Sequence, residues 1–365
     1  MRAIQWPWWP KNLGIEMSIW RWNHQWAPVL AEAKRLSLGE GATPLVRSRS
    51  IGPAAGLQNL FFKLESANPS GSYKDRFAAL AVAHMLEQGQ HTCVATSSGN
   101  TGAALAAYCA AAGIRCRIAV VETAPMGKLQ QMLAYGAVIQ RVRGFGLDSE
   151  ITRQTFERLR ARGDEPGCAL QISAYAYSPL GMQGVESIGF ELVEQLPEMQ
   201  QVFSPAGGGG LTLAVARGLR KQGHVAAVHC VQPEGNDTIA GPLRAGEVEA
   251  VAVECQTAIS GLQVASVIDG NEVIAACRAS GGTGHTVTDA EVWALQARLA
   301  REEGLFAEPA GLVALAGALR AVSAGEIDPE ATVVCLVTGS GFKDMASVER
   351  LNAGFESGCV EWDTL

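Results

Sequence analysis

At 365 residues, with 48% hydrophobic and 18% charged side chains, the chain can bury a large core, and its size favours two lobes over one. A net charge of -7 with dispersed lysines and arginines gives no basic footprint, which excludes nucleic acid as a partner, and no apolar run approaches the roughly 20 residues of a membrane span. Nine widely spaced cysteines without a Cys-x-x-Cys pair argue against a metal site, and with no signal-peptide pattern they read as core thiols of a cytoplasmic protein.

In chain order, six of the eight tryptophans fall within the first 26 residues, including Trp6-Pro7-Trp8-Trp9-Pro10. Aromatic clusters bury large areas and proline bars a regular helix, so residues 1–20 read as a packing arm laid on the body or on a partner subunit. Trp20 to Leu36 is predicted helical, Gly39 to Leu45 is a turn-rich lead into extended chain, and Leu60 to Glu65 is a short buried strand. That strand delivers Asn68-Pro69-Ser70-Gly71-Ser72-Tyr73-Lys74-Asp75-Arg76, in which Gly71 suits a turn, Ser72 an N-cap, and Phe77 to Met85 the helix that follows. Lys74 then sits in a first helical turn, where unpaired N–H groups and the dipole disfavour a second positive charge. A neutral amine there can condense with a carbonyl.

From His91 onward strand, turn and helix alternate. Strands are expected at Thr92 to Thr96, Arg117 to Val121, Ala137 to Val142 and Ala169 to Ser173, with helices at Ala103 to Ala112, Lys128 to Tyr135 and Ser149 to Arg162. After a crossing near Ser178-Pro179, helix Val185 to Gln195 and strand Gln201 to Ser204 lead into Gly207-Gly208-Gly209-Gly210, followed by helix Leu211 to Lys221 and strand Ala226 to Val231. Thr288 and Glu291 form a capping box for helix Ala290 to Glu303, closed by Gly304; helix Ala310 to Val322 and strand Ala331 to Thr338 complete the series. This alternation predicts an α/β protein of doubly wound, mostly parallel sheets with ligand sites at the carboxyl ends of the strands. The smaller domain is expected at 78–177 and the larger at 1–77 and 178–365, the two sharing strands.

The four glycines between a strand and a helix can curl so that several N–H groups point at one anion, which makes a phosphate cup. They match neither the dinucleotide pattern nor a P-loop. Ser97-Ser98-Gly99-Asn100-Thr101 is a second strand-to-helix turn, rich in hydroxyls and suited to a carboxylate. Thr338 ends the last strand with a hydroxyl before a glycine pair. A nucleophilic lysine, a phosphate cup, a carboxylate cup and a hydroxyl are what a phosphorylated aldehyde cofactor requires.

Here the sequence resembles the second fold type of pyridoxal-phosphate enzymes, and within it the threonine synthase family, with the cofactor cleft between the two domains. The matching motifs are Glu40-Gly-Ala-Thr-Pro-Leu45, Asn68 to Arg76, Ser97-Ser-Gly-Asn-Thr-Gly102, Glu308-Pro-Ala-Gly311 and Thr338-Gly-Ser-Gly-Phe-Lys-Asp344, which span about residues 20 to 345. The resemblance implies that Lys74 holds pyridoxal 5'-phosphate covalently and moves protons at the substrate's α carbon. It places Asn100 at the cofactor's ring hydroxyl, Gly207, Gly208, Gly209, Gly210 and the Leu211 N–H at its phosphate, and Thr338 at the pyridine nitrogen. A neutral hydroxyl there leaves the ring a weaker electron sink, which favours elimination and replacement over transamination. Ser97, Ser98 and Thr101, with Asn100, take the substrate carboxylate. A homodimer is implied as well.

The likeness thins in two places. The glycine cup followed by leucine looks more like that of serine and threonine dehydratases. Threonine synthases also carry an asparagine and an arginine, which help bind the phosphate of O-phosphohomoserine, where this chain has Ser178 and Gly181, and Glu186 stands where a lysine is common. The expected activity is therefore elimination or replacement at the β or γ carbon of a small amino acid, with an unphosphorylated substrate preferred. A true threonine synthase and a serine or threonine dehydratase are the alternatives. A non-catalytic homologue that binds the cofactor is the alternative of another class, and the intact lysine, both cups and Thr338 argue against it.

Overall fold

The computed structural model describes residues 17–355 and 358–362. The Trp6 to Pro10 cluster lies outside them. The described end of the arm packs on the body: Trp20, Trp22 and Trp26 are buried, Trp22 lies 5.2 Å from the Phe190 ring, and the Trp20 indole donates to the Leu36 carbonyl at 2.9 Å. The helix expected from Trp20 to Leu36 is instead two short 3-10 turns, Ile19–Gln25 and Glu32–Lys34. Pro28 lies between them and cannot donate the backbone hydrogen bond a continuous helix needs.

Ten strands form two sheets: β1 Leu45–Arg47, β2 Leu60–Leu64, β3 Thr92–Thr96, β4 Arg115–Val121, β5 Val138–Val142, β6 Cys168–Gln171, β7 Gln201–Pro205, β8 Ala227–Pro233, β9 Gly284–Val287 and β10 Val333–Val337. The larger runs β1-β2-β10-β7-β8-β9 and is parallel except for β1 against β2; the smaller runs β5-β4-β3-β6 and is parallel throughout. No strand is common to both, which corrects the expectation of shared strands. Position explains composition: central β10 reads Val-Val-Cys-Leu-Val and is buried on both faces, whereas edge strand β5 reads Val-Ile-Gln-Arg-Val with three of its five residues exposed.

Helix Lys74–Glu87 joins the sheets, packing against Asn100–Ala112 on one side and Pro179–Gln183 on the other. Its residues from Asp75 to Met85 are all buried, as expected of a helix apolar on every side. Helix Gly270–Ala279 and strand β9, with the short helix Ala240–Arg244, stand where the sequence showed no clear period. The capping box of Thr288 and Glu291 is present, and Gly304 closes helix Asp289–Glu303 in the left-handed region at φ 70°.

Candidate active site

The carboxyl ends of β3, β4, β7 and β10, with the segment after β6, open into a cavity of about 550 Å³ between the sheets, and each predicted site residue lines it. Lys74 is the first residue of its helix and faces this space. Its lead-in is zipped to the end of β10: the Tyr73 N–H donates to the Thr338 carbonyl at 3.0 Å, and the Ser340 N–H to the Gly71 carbonyl at 2.9 Å. Gly71 stands at φ 91°, a conformation that disfavours a side chain. Ser72 does not cap the helix; it is buried and bridged to Gly339, and the preceding residue of the helix is Tyr73. The carboxylate of Asp75 organises the turn instead, accepting from the Ser70 N–H at 2.5 Å and from the Ser70 hydroxyl.

The Lys74 amine donates to Ser173 Oγ at 2.8 Å and lies 4.4 Å above the Tyr73 ring. Burial brings its pKa down to about 7, against the pull of Glu308 and Asp269 in the other direction. The lowered basicity expected from the sequence has burial as its largest cause. Among the described residues of the lining, the only other cation is Lys128, which donates to Ser260 Oγ and lies 3.6 Å from Asp344.

Asn100 opens helix Asn100–Ala112, and Thr338 follows β10 directly. Both contact Glu308: Asn100 Nδ2 donates to its two carboxylate oxygens at 3.0 and 2.9 Å, and Thr338 Oγ1 donates to Oε1 at 2.8 Å. Burial raises the Glu308 pKa, while these two donors favour its ionised form. A Cβ on Gly339 would lie 2.5 Å from Glu308 Oε1, so the glycine after Thr338 makes room for the carboxylate. The motif containing Glu308 was legible, but its bond to both Asn100 and Thr338 was not. Ser97, Ser98 and Thr101 stand on the same turn as Asn100, facing the cavity opposite the glycines.

Gly207 to Gly209 bridge β7 and helix Gly210–Lys221, whose first N–H groups have no intrahelical acceptor. Gly209 has φ 97°, and a Cβ there would lie 2.7 Å from Val273. A Cβ on Gly210 would lie 3.0 Å from Met182 Cε, so side chains in this loop would fill the cradle or distort it. Asp269, which sequence reasoning missed, braces the cup: its N–H donates to the Gly208 carbonyl at 3.0 Å, and its carboxylate accepts from the N–H groups of Tyr175 and Ala176 at 2.9 and 3.0 Å. Ser173, the partner of Lys74, was likewise unmarked; neither residue belongs to a recognisable local pattern.

Gly181 is buried outside the cavity, and a Cβ there would lie 2.8 Å from the Phe77 ring, so no arginine fits this backbone. Glu186 does not place a charge in the cavity. It is buried, bonded to the Tyr175 hydroxyl at 2.9 Å, and paired with Lys221 at 2.6 Å. Arg76 is not free to replace the missing arginine, because Glu65 and Glu191 hold its guanidinium in full burial, and Lys343 is bonded to Gln131 at 2.7 Å.

A family model described as pyridoxal-phosphate dependent enzyme matches residues 36–339. The chain belongs to the pyridoxal-phosphate dependent enzyme family. It is 33% identical over 337 residues to the threonine synthase of Halalkalibacterium halodurans, covering 90% of this chain and 91% of that protein. The threonine synthase of Methanocaldococcus jannaschii is 30% identical over 340 residues, covering 90% and 81%. Among solved structures, the processed threonine deaminase isoform 2 of Solanum lycopersicum superposes with a TM-score of 0.72 at 21% identity over 86% of this chain and 88% of that one, which shows the shared fold. The architecture is that of the second fold type of pyridoxal-phosphate enzymes. Within this family the chain is threonine synthase-like, a lyase that eliminates or replaces a group at the β or γ carbon of an amino acid, with pyridoxal 5'-phosphate as its cofactor. The cavity fits that group: the glycine cradle has space only while it lacks side chains, and an amine whose pKa burial lowers to about 7 faces the same space.

Glu308→Gln tests how far the Asn100 and Thr338 contacts matter. A glutamine oxygen accepts hydrogen bonds, but its NH2 opposes a donor, so the substitution breaks part of the set. The loss of a charged hydrogen bond costs about 1.5–3 kcal/mol, and kcat is expected to fall roughly tenfold to a hundredfold. An unchanged kcat would show that these bonds do not hold the site.

Proposed function

We propose that this enzyme acts on a small, unphosphorylated amino acid in the cytoplasm, as a homodimer, with Lys74 as the catalytic base. Bound pyridoxal phosphate withdraws electrons from the substrate's α carbon, which makes the proton there removable. Lys74 holds the cofactor and, as a neutral amine beside Ser173, takes up and returns that proton. The glycine loop from Gly207 to Gly210 and the Leu211 N–H take the phosphate by backbone donors. Asn100 would orient the cofactor through its ring hydroxyl, and Thr338 would turn its single hydroxyl proton from Glu308 to the ring nitrogen, while Glu308 keeps its hold on the Asn100 amide. Ser97, Ser98 and Thr101, with Asn100, hold the substrate carboxylate at the start of helix Asn100–Ala112. Nine free cysteines accord with a reducing compartment, and no helix of the described residues is long and apolar enough to cross a membrane.

The observation that supports the substrate reading is the lining itself, in which the only cation besides Lys74 among the described residues is Lys128, already bonded to Ser260 and close to Asp344. A second reading, a threonine synthase acting on O-phosphohomoserine, is favoured by Lys128, a cation of the lining, and by the relatives. Lys128 already faces Ser260 and Asp344, so a phosphate dianion would have to compete with both. Losing one partner of a buried charge pair typically costs about 2 kcal/mol or more, so the specificity constant for O-phosphohomoserine is expected to be at least roughly thirtyfold below that of the best unphosphorylated amino acid. Steady-state turnover of O-phosphohomoserine beside serine, threonine and other β- or γ-substituted amino acids decides it. Threonine formation from O-phosphohomoserine at the highest specificity constant, with a KM raised by Lys128→Met, would establish the second reading.

A further inference from the structure

The small sheet holds a thiol cluster that the cofactor chemistry does not use. Cys93 on β3 and Cys116 on β4 are register partners on adjacent parallel strands, and Cys109 lies on the helix Asn100–Ala112 that joins them. The three Sγ atoms all lie within 4.8 Å of one another. Cys93 and Cys109 are 0% exposed and Cys116 6%, within the larger of the two apolar cores. All nine cysteines are free, yet among the described residues no other trio of histidine, cysteine or acidic side chains converges in this way.

Geometry and charge narrow the occupant. A structural zinc site is closed by four ligands, and no fourth His, Cys, Asp or Glu joins these three among the described residues. Three thiolates suit a soft ion. Around a monovalent ion they leave two negative charges and around a divalent ion one, and an unpaired charge in an apolar core is costly. Around a trivalent ion they leave none.

We propose that Cys93, Cys109 and Cys116 form a binding site for a trivalent thiophilic metalloid, taken up as arsenious acid. Three As–O bonds break and three As–S bonds form, and the three thiol protons leave with the hydroxyls as water. No oxidation state changes. The product is neutral and three-coordinate, so it needs neither a counter-ion nor a fourth donor. It staples β3 and helix Asn100–Ala112, which the Ser97 to Thr101 turn joins, to β4, whose Val120 and Val121 line the same cavity. Because the thiols are buried, uptake follows local opening of the small sheet.

The test is native mass spectrometry and arsenic X-ray absorption on the full-length holoenzyme treated with one equivalent of sodium arsenite. The expected result is a single adduct, one arsenic heavier and three protons lighter, with three sulfur neighbours. Cys109→Ala, one more alanine in an alanine-rich helix, is expected to lose that adduct, and Cys168→Ala and Cys255→Ala to retain it. An adduct that survives Cys109→Ala overturns the site. A shell of two sulfurs and one oxygen does the same in unsubstituted protein, independently of how any variant folds. Zinc retained in preference to arsenite at equal concentration overturns the choice of ion.

Discussion

Lys74→Ala is expected to lower kcat by about a thousandfold or more and to abolish covalent attachment of the cofactor, because the proposed mechanism uses one amine as anchor and as base. Lys128, the other lysine of the lining, is bonded to Ser260 and lies 3.6 Å from Asp344, and two further lysines are committed elsewhere. Lys63 is buried against Glu191, Gln195 and the Thr43 carbonyl at 2.7, 2.8 and 2.8 Å, and Lys343 is bonded to Gln131. Borohydride reduction of the holoenzyme followed by peptide mapping should place the phosphopyridoxyl group on the Lys74 peptide alone. A label on Lys63 or Lys343 would overturn the assignment. The same amine sets a pH dependence. With its pKa near 7 in place of the usual 10.5, uptake of cofactor by the apoenzyme should fall as pH drops through about 7. Between those two values the unfolded chain binds the extra proton, so apoenzyme stability should rise with pH across that window, and Lys74→Met should remove the rise.

Glu191→Ala is expected to destabilise the protein by about 3–5 kcal/mol, because it strands two buried cations. Glu191 pairs with Arg76 Nη1 at 2.6 Å and with Lys63 at 2.7 Å, while Glu65 holds the other side of the guanidinium at 2.7 Å. All four side chains are at most 1% exposed, and the formal charges balance. The network lies behind Lys74, since Arg76 is two residues beyond it, and it ties β2, helix Lys74–Glu87 and helix Ser187–Gln195 together. Burial alone would raise the Glu191 carboxyl, but Arg76 and then Lys63 outweigh that and hold it well below its usual value of 4.5. Its contribution is therefore present above that value and lost as pH falls below it. Urea unfolding at neutral pH, with the midpoint compared at equal slope, measures the cost. A loss below about 1 kcal/mol would show that the stranded cations find water or other partners.

The network was hidden from sequence reading for a physical reason. Lys63 lies in an apolar strand, Arg76 beside a lysine and an aspartate, and Glu191 in an amphipathic helix, and each taken alone resembles a solvated charge. Their pairing spans 128 residues for Lys63 with Glu191 and 115 for Arg76 with Glu191, so no window of sequence contains it. The same holds for Glu308, whose partners Asn100 and Thr338 stand 208 and 30 residues away, and for Ser173, 99 residues from Lys74. The readings of Gly181 and Glu186 failed in the complementary way. A motif comparison locates a position along the chain but not the side from which the cavity opens, and packing turned both residues away from it.

Local chemistry carried much of the rest. Periodicity, glycine stops and the Thr288 capping box marked most strands and helices to within one or two residues, because caps and turns are satisfied by neighbours in sequence. Where the rule is local but weakly printed, as for helix Gly270–Ala279 and the edge strand β9, the elements went unmarked; those segments gain their order from packing on β8 and its neighbours. By itself the sequence determined the alternating α/β plan and the positions of Lys74 and of the two strand-to-helix turns at Ser97 to Thr101 and Gly207 to Gly210, since these depend on backbone freedom and helix starts that a few adjacent residues set. Tertiary structure alone decided that the motifs meet in one cavity, that burial lowers the pKa of Lys74 to about 7, and that Arg76 is structural while Lys128 lines the cavity. Those properties arise from desolvation and from contacts between distant segments, which exist only once the two sheets have closed on each other.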